Sequence, residues 1–152
     1  MDTKEKIIDP ITTDTKLKTL SNAQRITLLV VGDALVFLIF AAIGRRSHGE
    51  AVGLDAVLQT VQTAAPFALA WFIVSPFFGV YRRGLERQPQ TMALRTLLAW
   101  IAAWPLSMIF RGVFVDHAVP PWTFALITLV TNTILLLLWR WPLSLFNNWR
   151  KR

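Results

Sequence analysis

The sequence predicts an all-α fold, a polytopic bundle of four transmembrane helices with both termini on the cytoplasmic side. Two observations predict this class. The chain has 152 residues, of which 54% are hydrophobic and only 16% are charged, whereas a soluble domain has about 25% charged residues. So few charges cannot provide the polar surface that a soluble domain needs. The apolar residues are also concentrated in four stretches, each near the roughly 20 residues that span a bilayer.

The four stretches supply the helices of the bundle. They lie at about residues 25–44, 57–80, 92–111 and 122–141. None alternates with a period of two along its length, which argues against a β-barrel. A backbone inside lipid must satisfy its own hydrogen bonds, and a helix does so. The domain boundaries that follow are a cytoplasmic tail at 1–22, a transmembrane domain at 23–142 and a basic interfacial tail at 143–152.

Two helix starts carry capping signals. Ser21 and Gln24 have the spacing of a capping box immediately before the first stretch. Thr91 follows Pro89 and is placed to cap the third helix. Residues 50–63 have apolar side chains at helical spacing, and we expect them to form either a water-exposed extension of the second span or a short surface helix that leads into it.

The basic residues predict the orientation. Thirteen of the 16 Lys and Arg residues lie in the N-terminal segment, in the loop between the second and third stretches, or at the C-terminal end. Only Arg45, Arg46 and Arg111 lie on the other side. Because cytoplasmic loops are enriched in Lys and Arg, both termini are expected in the cytoplasm. We therefore expect a multi-pass protein of the cell membrane, with the lipid bilayer as its first partner.

Asp33 lies deep inside the first stretch, where a carboxylate costs about 2.5–3.5 kcal/mol. It therefore needs polar neighbours between the helices. By depth, the candidates are Thr128, Thr131 and Asn132 of the fourth stretch. Asp33 is then either a proton- or cation-binding carboxylate of a small transporter or a structural contact that joins the first and fourth helices. A water-accessible cavity would favour the first interpretation, and a dry contact would favour the second.

A second candidate site lies at the outer ends of the helices. Its residues are Arg45, Arg46, Ser47, His48 and Arg111. Arginines beside a histidine can hold a phosphate or a carboxylate, including that of a lipid headgroup, through charge-assisted hydrogen bonds. Alternatively, Arg111 pairs with Asp116, Glu50 or Asp55, and such salt bridges only hold the outer loops together.

Aromatic residues form a third feature. Trp71, Trp100 and Trp104 lie inside the second and third stretches, together with Phe67 and Phe77. They could line an apolar pocket for a lipid, a quinone or a pigment. Plain packing is the commoner use of aromatic side chains at helical spacing.

Several classes of function are excluded or unsupported. The chain has no cysteine, so it forms no disulfide, thiolate nucleophile or cysteine metal site. Two histidines without a fixed spacing are a weak metal signal, and we expect neither a metal nor a cofactor. The basic residues lie beside the helix ends rather than along one face, so no nucleic-acid partner is expected. No nucleophile, base and orienting residue can be assembled, so we do not expect an enzyme.

The chain resembles a family of small prokaryotic integral membrane proteins that is known only as a domain of unknown function. The resemblance covers residues 25–141. Its most distinctive segment is GDALVFLIFAAIGRRSHGE (32–50), accompanied by Pro66, SPFFGV (75–80), Arg111, Phe124, Trp139 and Arg140. The positions that resemble distinctive polar residues of the family are Asp33, Arg45, Ser47, His48 and Arg111. The resemblance implies four helices and a prokaryotic cell membrane, and it implies no activity.

Two functional hypotheses follow. The first is a small membrane protein that binds or transports a small anionic or lipid-like ligand, using Asp33 and the outer basic site. The alternative is a non-enzymatic membrane subunit or scaffold whose polar residues only hold the helices together. Its partners would be other membrane proteins or further copies of the chain. A membrane enzyme that acts on a lipid headgroup with His48 as its base ranks last.

Overall fold

The structure, a computed structural model, describes residues 21–47 and 53–149, and this part of the chain contains helices and no strand. The four long helices are α1 (Asn22–Ser47), α2 (Leu54–Val74), α3 (Pro89–Arg111) and α4 (Trp122–Trp149). Each packs against the next along the chain, and α4 packs back against α1. The predicted all-α class and the four helices are confirmed, and all four are long and apolar enough to cross a membrane.

The helices extend beyond several predicted limits. A 3₁₀ turn (Ser75–Phe78) follows α2, and a π-helical turn (Gly112–Asp116) follows α3. The largest difference is in α4, which continues through Pro142 to Trp149. Residues 143–149, predicted as part of a separate interfacial tail, are thus the last two turns of α4. The structure of the remaining tail residues, 150–152, and of the N-terminal residues 1–20 lies outside the described part.

The two predicted caps have different outcomes. The capping box before α1 is confirmed, because the amide of Gln24 donates to Ser21 Oγ (3.2 Å) and the amide of Ser21 donates to Gln24 Oε1 (3.0 Å). The cap at Thr91 is wrong, because α3 begins two residues earlier, at Pro89, and Gln88 occupies the N-cap position without a side-chain cap. Proline suits the first helical position because its fixed backbone angle is already helical.

The outward faces of α1, α3 and α4 are largely apolar. On α1, the outward residues are 44–57% exposed, and they are Leu28, Val31, Leu35, Ile39 and Ile43. Similar rows of exposed Leu, Ile and Val side chains run along α3 and α4. Helices that are hydrophobic on all sides are typical of protein interiors or of membranes.

An aromatic layer fills the middle of the bundle. Phe37 of α1, Trp71 of α2 and Trp100 of α3 are completely buried, and their ring centroids lie 5.5–6.4 Å apart. Such pairs add about 0.5–1.5 kcal/mol each beyond the burial of their area. Phe67 is buried in the same core, whereas Phe77 is 86% exposed. Phe67, Trp71 and Trp100 therefore pack in one core, the commoner use of aromatic side chains, and Phe77 lies apart from them.

Two indoles fix the register of α3 against α4. Trp100 Nε1 donates to the carbonyl oxygen of Leu129 (3.1 Å), and Trp104 Nε1 donates to that of Ala125 (2.9 Å). Both the donors and the acceptors are four residues apart, so one helical turn of α3 matches one turn of α4. A carbonyl oxygen has two lone pairs and can accept these bonds in addition to a helical one.

A glycine allows α1 and α4 to approach closely. A Cβ atom built on Gly32 would lie 1.9 Å from the indole ring of Trp139, far inside any real contact. The side chain of Trp139 therefore lies directly against the backbone of α1. The residues that follow these two along the chain are Asp33 and Arg140, and the close approach brings them together.

We predict that Gly32→Ala destabilises the protein by about 1–3 kcal/mol, because the new methyl group overpacks the contact with Trp139. The matched control is Gly44→Ala in the same helix, where an added Cβ meets no atom within 4 Å. That control should be neutral or should stabilise α1 by about 0.5–1 kcal/mol. Denaturant unfolding in detergent micelles measures both variants, and equal effects would contradict the close contact.

Candidate functional site

The polar centre of the bundle is an ion pair between Asp33 of α1 and Arg140 of α4. Both side chains are completely buried. Arg140 Nε donates to Asp33 Oδ1 (2.9 Å), and Arg140 Nη2 donates to Asp33 Oδ2. The two bonds match the fork of the guanidinium to the two oxygens of the carboxylate, which is the strongest geometry for such a pair.

Two further donors complete the shell of Asp33. Trp71 Nε1 donates to Oδ2 of the carboxylate (2.9 Å), and the hydroxyl of Tyr81 donates to the same oxygen (2.8 Å). Four donors from three different elements therefore converge on one carboxylate, which has about four acceptor positions. The Arg140 guanidinium also lies over both rings, 5.4 Å from that of Trp71 and 5.2 Å from that of Tyr81. Asp33 and Arg140 are thus enclosed by aromatic rings and have no contact with solvent.

Arginines from three helices hold the loop between α2 and α3 (residues 75–88). Arg95 Nη1 donates to the carbonyl oxygens of residues 78 and 79 (3.3 and 3.4 Å). Arg140 Nη1 donates to that of residue 80 (3.4 Å). Arg25 donates to those of residues 81 and 82 (2.7 and 3.4 Å). Five consecutive carbonyls that belong to no long helix are therefore satisfied by side chains of α1, α3 and α4.

Gly79 allows this loop to turn back over the bundle. It adopts a left-handed conformation (φ 63°), and a Cβ atom at this position would lie 2.5 Å from Arg95 Nη1. Glycine meets both requirements, because it takes positive φ values without strain and leaves room for the guanidinium. The turn directs Tyr81 onto Asp33. An ion pair between Arg25 and Glu86 (3.3 Å) holds the loop farther along the chain.

The environment of Tyr81 keeps its phenol protonated. Burial raises the pKa of the phenol well above its ordinary value, and the negative charge of Asp33 raises that pKa further. The hydroxyl therefore remains the donor in its bond to Asp33.

The predicted partners of Asp33 were wrong. Thr128 and Asn132 are completely buried, but they bind their own helix: Thr128 Oγ1 donates to the carbonyl of Ala125 (2.8 Å) and Asn132 Nδ2 donates to that of Thr128 (3.0 Å). Thr131 is half-buried. The depth comparison failed because α4 ends at Trp149 rather than at 141. Arg140 therefore lies well inside α4, at the level of Asp33, and not at its end.

The outer candidate residues have separate partners. Arg45 Nη2 donates to Gln59 Oε1 of α2 (2.6 Å). Arg111 binds Asp116 with two bonds (2.9 and 3.0 Å), and its guanidinium lies 4.4 Å from the ring centre of Phe124. The predicted alternative, a pairing of Arg111 with Asp116, is confirmed. Arg46 is exposed at the end of α1. The side chain of Ser47 and all of His48 lie outside the described residues.

Sequence reasoning missed Arg140, Trp71 and Tyr81 as ligands of Asp33. In the sequence, Arg140 lies at the predicted end of the fourth stretch, where an arginine needs no partner. One signal was available: a buried carboxylate needs a cation, and only four basic residues lie within the four predicted stretches, namely Arg25, Arg95, Arg111 and Arg140. In the described part of the chain, no three acidic or histidine side chains are grouped to hold a metal ion.

A family model described as "Protein of unknown function (DUF3054)" matches residues 30–143, about three quarters of the chain. The chain therefore belongs to this family, and the predicted resemblance to an uncharacterised family is confirmed. The matched segment contains both Asp33 and Arg140. No curated protein and no solved structure matches the chain.

We predict strong coupling between the two charges. Arg140→Gln or Asp33→Asn alone leaves a buried charge without its partner and should cost about 3–5 kcal/mol of unfolding free energy. The double variant should cost clearly less than the sum of the two single variants, because it leaves no such charge. Denaturant unfolding in micelles provides the four values of this cycle.

The matched control for this cycle is the partly exposed pair Arg111 and Asp116, whose side chains are 16% and 28% exposed. Its coupling should stay below about 1 kcal/mol. Additive effects at Asp33 and Arg140 would show that the two groups do not depend on each other.

Tyr81 is the only tyrosine in the chain, so tyrosinate absorbance reports on this residue alone. Because its pKa is raised in the folded state, the phenol should stay protonated well above the ordinary value of about 10. The stability linked to this group is then complete below pH ~10 and is lost as the pH rises above it, since the unfolded state ionises first.

A spectroscopic pH titration of folded and denatured protein tests this expectation, with Tyr81→Phe as the blank. An ordinary pKa for Tyr81 in the folded protein would contradict the buried contact with Asp33.

Proposed function

We propose that this chain, a member of a family without a known function, is a non-enzymatic multi-pass protein of the cell membrane. In this proposal it acts as a membrane subunit or scaffold, and its buried polar residues hold the helices together. The observation that carries the proposal is the complete burial of Asp33, whose carboxylate accepts four hydrogen bonds from Arg140, Trp71 and Tyr81.

The surroundings of Asp33 argue against a proton-carrying role. A carboxylate that carries protons across a membrane must exchange them with water from both sides. Asp33 has no exposed surface, and Arg140 neutralises its charge at hydrogen-bond distance. Separating the two would leave an uncompensated buried charge, at a cost of about 3–5 kcal/mol. A fixed ion pair that joins α1 to α4 and, through Trp71, to α2 is consistent with a structural clamp.

The outer surface of the bundle and the distribution of charge support the membrane location. Four helices are long and apolar enough to span a bilayer, and their outward faces carry exposed Leu, Ile and Val side chains. Arg82, Arg83 and Arg87 are exposed in the loop between α2 and α3. Because basic residues are enriched in cytoplasmic loops, these arginines support a cytoplasmic position for this loop and for both termini.

Two measurements test the membrane location and the role of Asp33, one in intact cells and one in proteoliposomes. The chain has no cysteine, so single cysteines at Ser47 and Gln88 can be labelled with an impermeant thiol reagent in intact cells. We expect labelling of the cysteine at 47 without lysis and of the cysteine at 88 only after lysis. In proteoliposomes with a proton gradient, the wild type should leak no faster than protein-free vesicles.

The control for the flux measurement is the double variant Asp33→Asn, Arg140→Gln, which removes the carboxylate without leaving a single buried charge. It should behave as the wild type does. A gradient-driven flux in the wild type that disappears in the folded double variant would replace the scaffold proposal with a transporter. Labelling of both cysteines from the same side would refute the proposed orientation.

A further inference from the structure

The end of the bundle where α1 begins carries more cations than its own ion pairs use. Arg140 binds Asp33, and Arg25 binds Glu86. Within the described chain, these two carboxylates are the acidic groups of this end, and each is engaged. The same end holds four further arginines, which are Arg82, Arg83, Arg87 and Arg95.

Two of these four arginines meet at Gly79. A Cβ atom built on Gly79 would lie 2.5 Å from Arg95 Nη1 and 2.9 Å from Arg82 Cδ. The side chains of Arg82 and Arg95 therefore lie against the same residue, where the loop after α2 meets α3. Arg83 is turned toward α1 instead, because its Nε donates to Asn22 Oδ1 (2.9 Å). We call the group of Gly79, Arg82 and Arg95 the Gly79 edge.

Arg95 has donors that the fold does not use. Both of its hydrogen bonds within the described chain start from Nη1 and reach the carbonyl oxygens of residues 78 and 79. A guanidinium has five N–H donors in one plane, and its Nε and Nη2 together can bind two oxygens of one anion. Arg140 uses these two nitrogens for Asp33. In Arg95, neither nitrogen is among the buried unpaired atoms of the described chain, so this side of the guanidinium reaches the surface.

The surface beside the Gly79 edge is apolar. Phe77 of the loop is 86% exposed, and Ile73 at the end of α2 is 49% exposed. On α3, Leu94 and Leu98 lie just before and one turn after Arg95, and they are 56% and 45% exposed. Arg95 lies within the candidate span of α3 and directs its head to the loop, as arginines near the boundary of a bilayer do. Cationic groups and exposed apolar side chains thus adjoin, which suits a molecule with an anionic head and apolar chains.

We propose that the Gly79 edge binds the phosphate of an anionic phospholipid of the inner leaflet, with its acyl chains beside Phe77 and the exposed leucines of α3. The site rests on the membrane location and orientation proposed above, in which this end is cytoplasmic. Basic residues at the cytoplasmic ends of membrane helices attract anionic headgroups. The planar fork of Arg95 adds directed hydrogen bonds to this attraction.

Photo-cross-linking of the full chain in nanodiscs tests the site. The probe is phosphatidylglycerol with a photoactivatable acyl chain. Phosphatidylcholine with the same chain is the comparison, because it has a phosphate but no net charge. We expect phosphatidylglycerol to label Phe77, Leu94 and Leu98 several times more than phosphatidylcholine does. Equal labelling by both lipids, or labels spread evenly over the four helices, would overturn the site.

Arg82→Gln tests the contribution of charge. The side chain of Arg82 is exposed and makes no hydrogen bond within the described chain, so its loss should leave the fold intact. The variant should weaken labelling by phosphatidylglycerol about fivefold, the contribution of one arginine near an anionic surface. The matched control is Arg87→Gln, which removes an exposed charge from the same loop outside the Gly79 edge and should weaken labelling less than about twofold. Equal losses would show diffuse attraction to the whole loop and refute a bound headgroup.

Arg95→Lys tests the fork. Lysine keeps the charge and can still donate to the loop carbonyls, but it cannot bind two oxygens side by side. We expect labelling to weaken about tenfold, which corresponds to one lost charge-assisted bond. Labelling at the wild-type level would refute the directed contact. If denaturant unfolding shows that this variant is unfolded, Arg82→Gln decides.

Two other occupants are distinguished on the same preparation. Residues 1–20 contain four acidic and four lysine side chains. Replacing all eight with glutamine keeps the net charge of these side chains at zero, and labelling should not change. An increase would assign the arginines to the carboxylates of this segment instead of a lipid. Inorganic phosphate, which has the charge but no acyl chain, should not compete at equal concentration, and competition would overturn the lipid as the ligand.

The cysteine-labelling test of orientation, made on the same protein, separates the two proposals. A correct orientation without a preference for phosphatidylglycerol refutes the lipid site alone. A wrong orientation refutes the proposed location and with it the leaflet assigned to the site.

Discussion

The pairing of Asp33 with Arg140 is the interaction on which the arrangement of the helices depends. The two residues are 107 positions apart, on the first and last helices. A carboxylate and a guanidinium in an apolar interior are tolerated only when each compensates the other. The pair therefore requires α1 and α4 to meet, and Gly32 makes room for the meeting. Trp71 and Tyr81 extend the same requirement to α2 and the loop that follows it. This one polar centre thus determines which helices pack together. Apolar faces alone would not specify that arrangement.

The arginines at this end of the bundle have a second use. Residues 78–82 connect two apolar helices, and Arg25, Arg95 and Arg140 donate to all five of their carbonyls. The carbonyls of Gly79 and Arg82 also accept a backbone amide. A guanidinium has five donors in a rigid plane, so Arg140 can bind a carboxylate and a backbone carbonyl together. Lysine has the same charge but lacks this geometry. The basic residues that indicate orientation in the sequence are therefore also part of the structure that closes the bundle.

The sequence could predict the elements of the fold and only part of the site. A long apolar stretch indicates a spanning helix whatever its neighbours in the fold are. The capping box depends only on Ser21 and Gln24, which are three residues apart. Both features could therefore be predicted. That Asp33 needs a partner was also evident from its depth. The identity of that partner could not be predicted, because it depends on where α4 ends. A basic residue at the end of an apolar stretch does not mark the end of the helix reliably. When the residues of α4 are counted back from its true end at Trp149 rather than from 141, the residue at the level of Asp33 is close to Arg140 and not Asn132. The pairing of Arg111 with Asp116 could be predicted because the two residues are only five positions apart in the sequence.

The arginines at the end of the bundle where α1 begins fall into two groups, and this division indicates where a partner can bind. Arg82 and Arg95 lie against Gly79 at the edge of the bundle, and a ligand there would add contacts without breaking any of those that join α1 to α4. Arg25 and Arg140 are engaged by carboxylates, so a ligand at either would have to displace bonds that hold the fold together. Asp33, the most conspicuous residue of the sequence, is therefore occupied by contacts that hold the helices together.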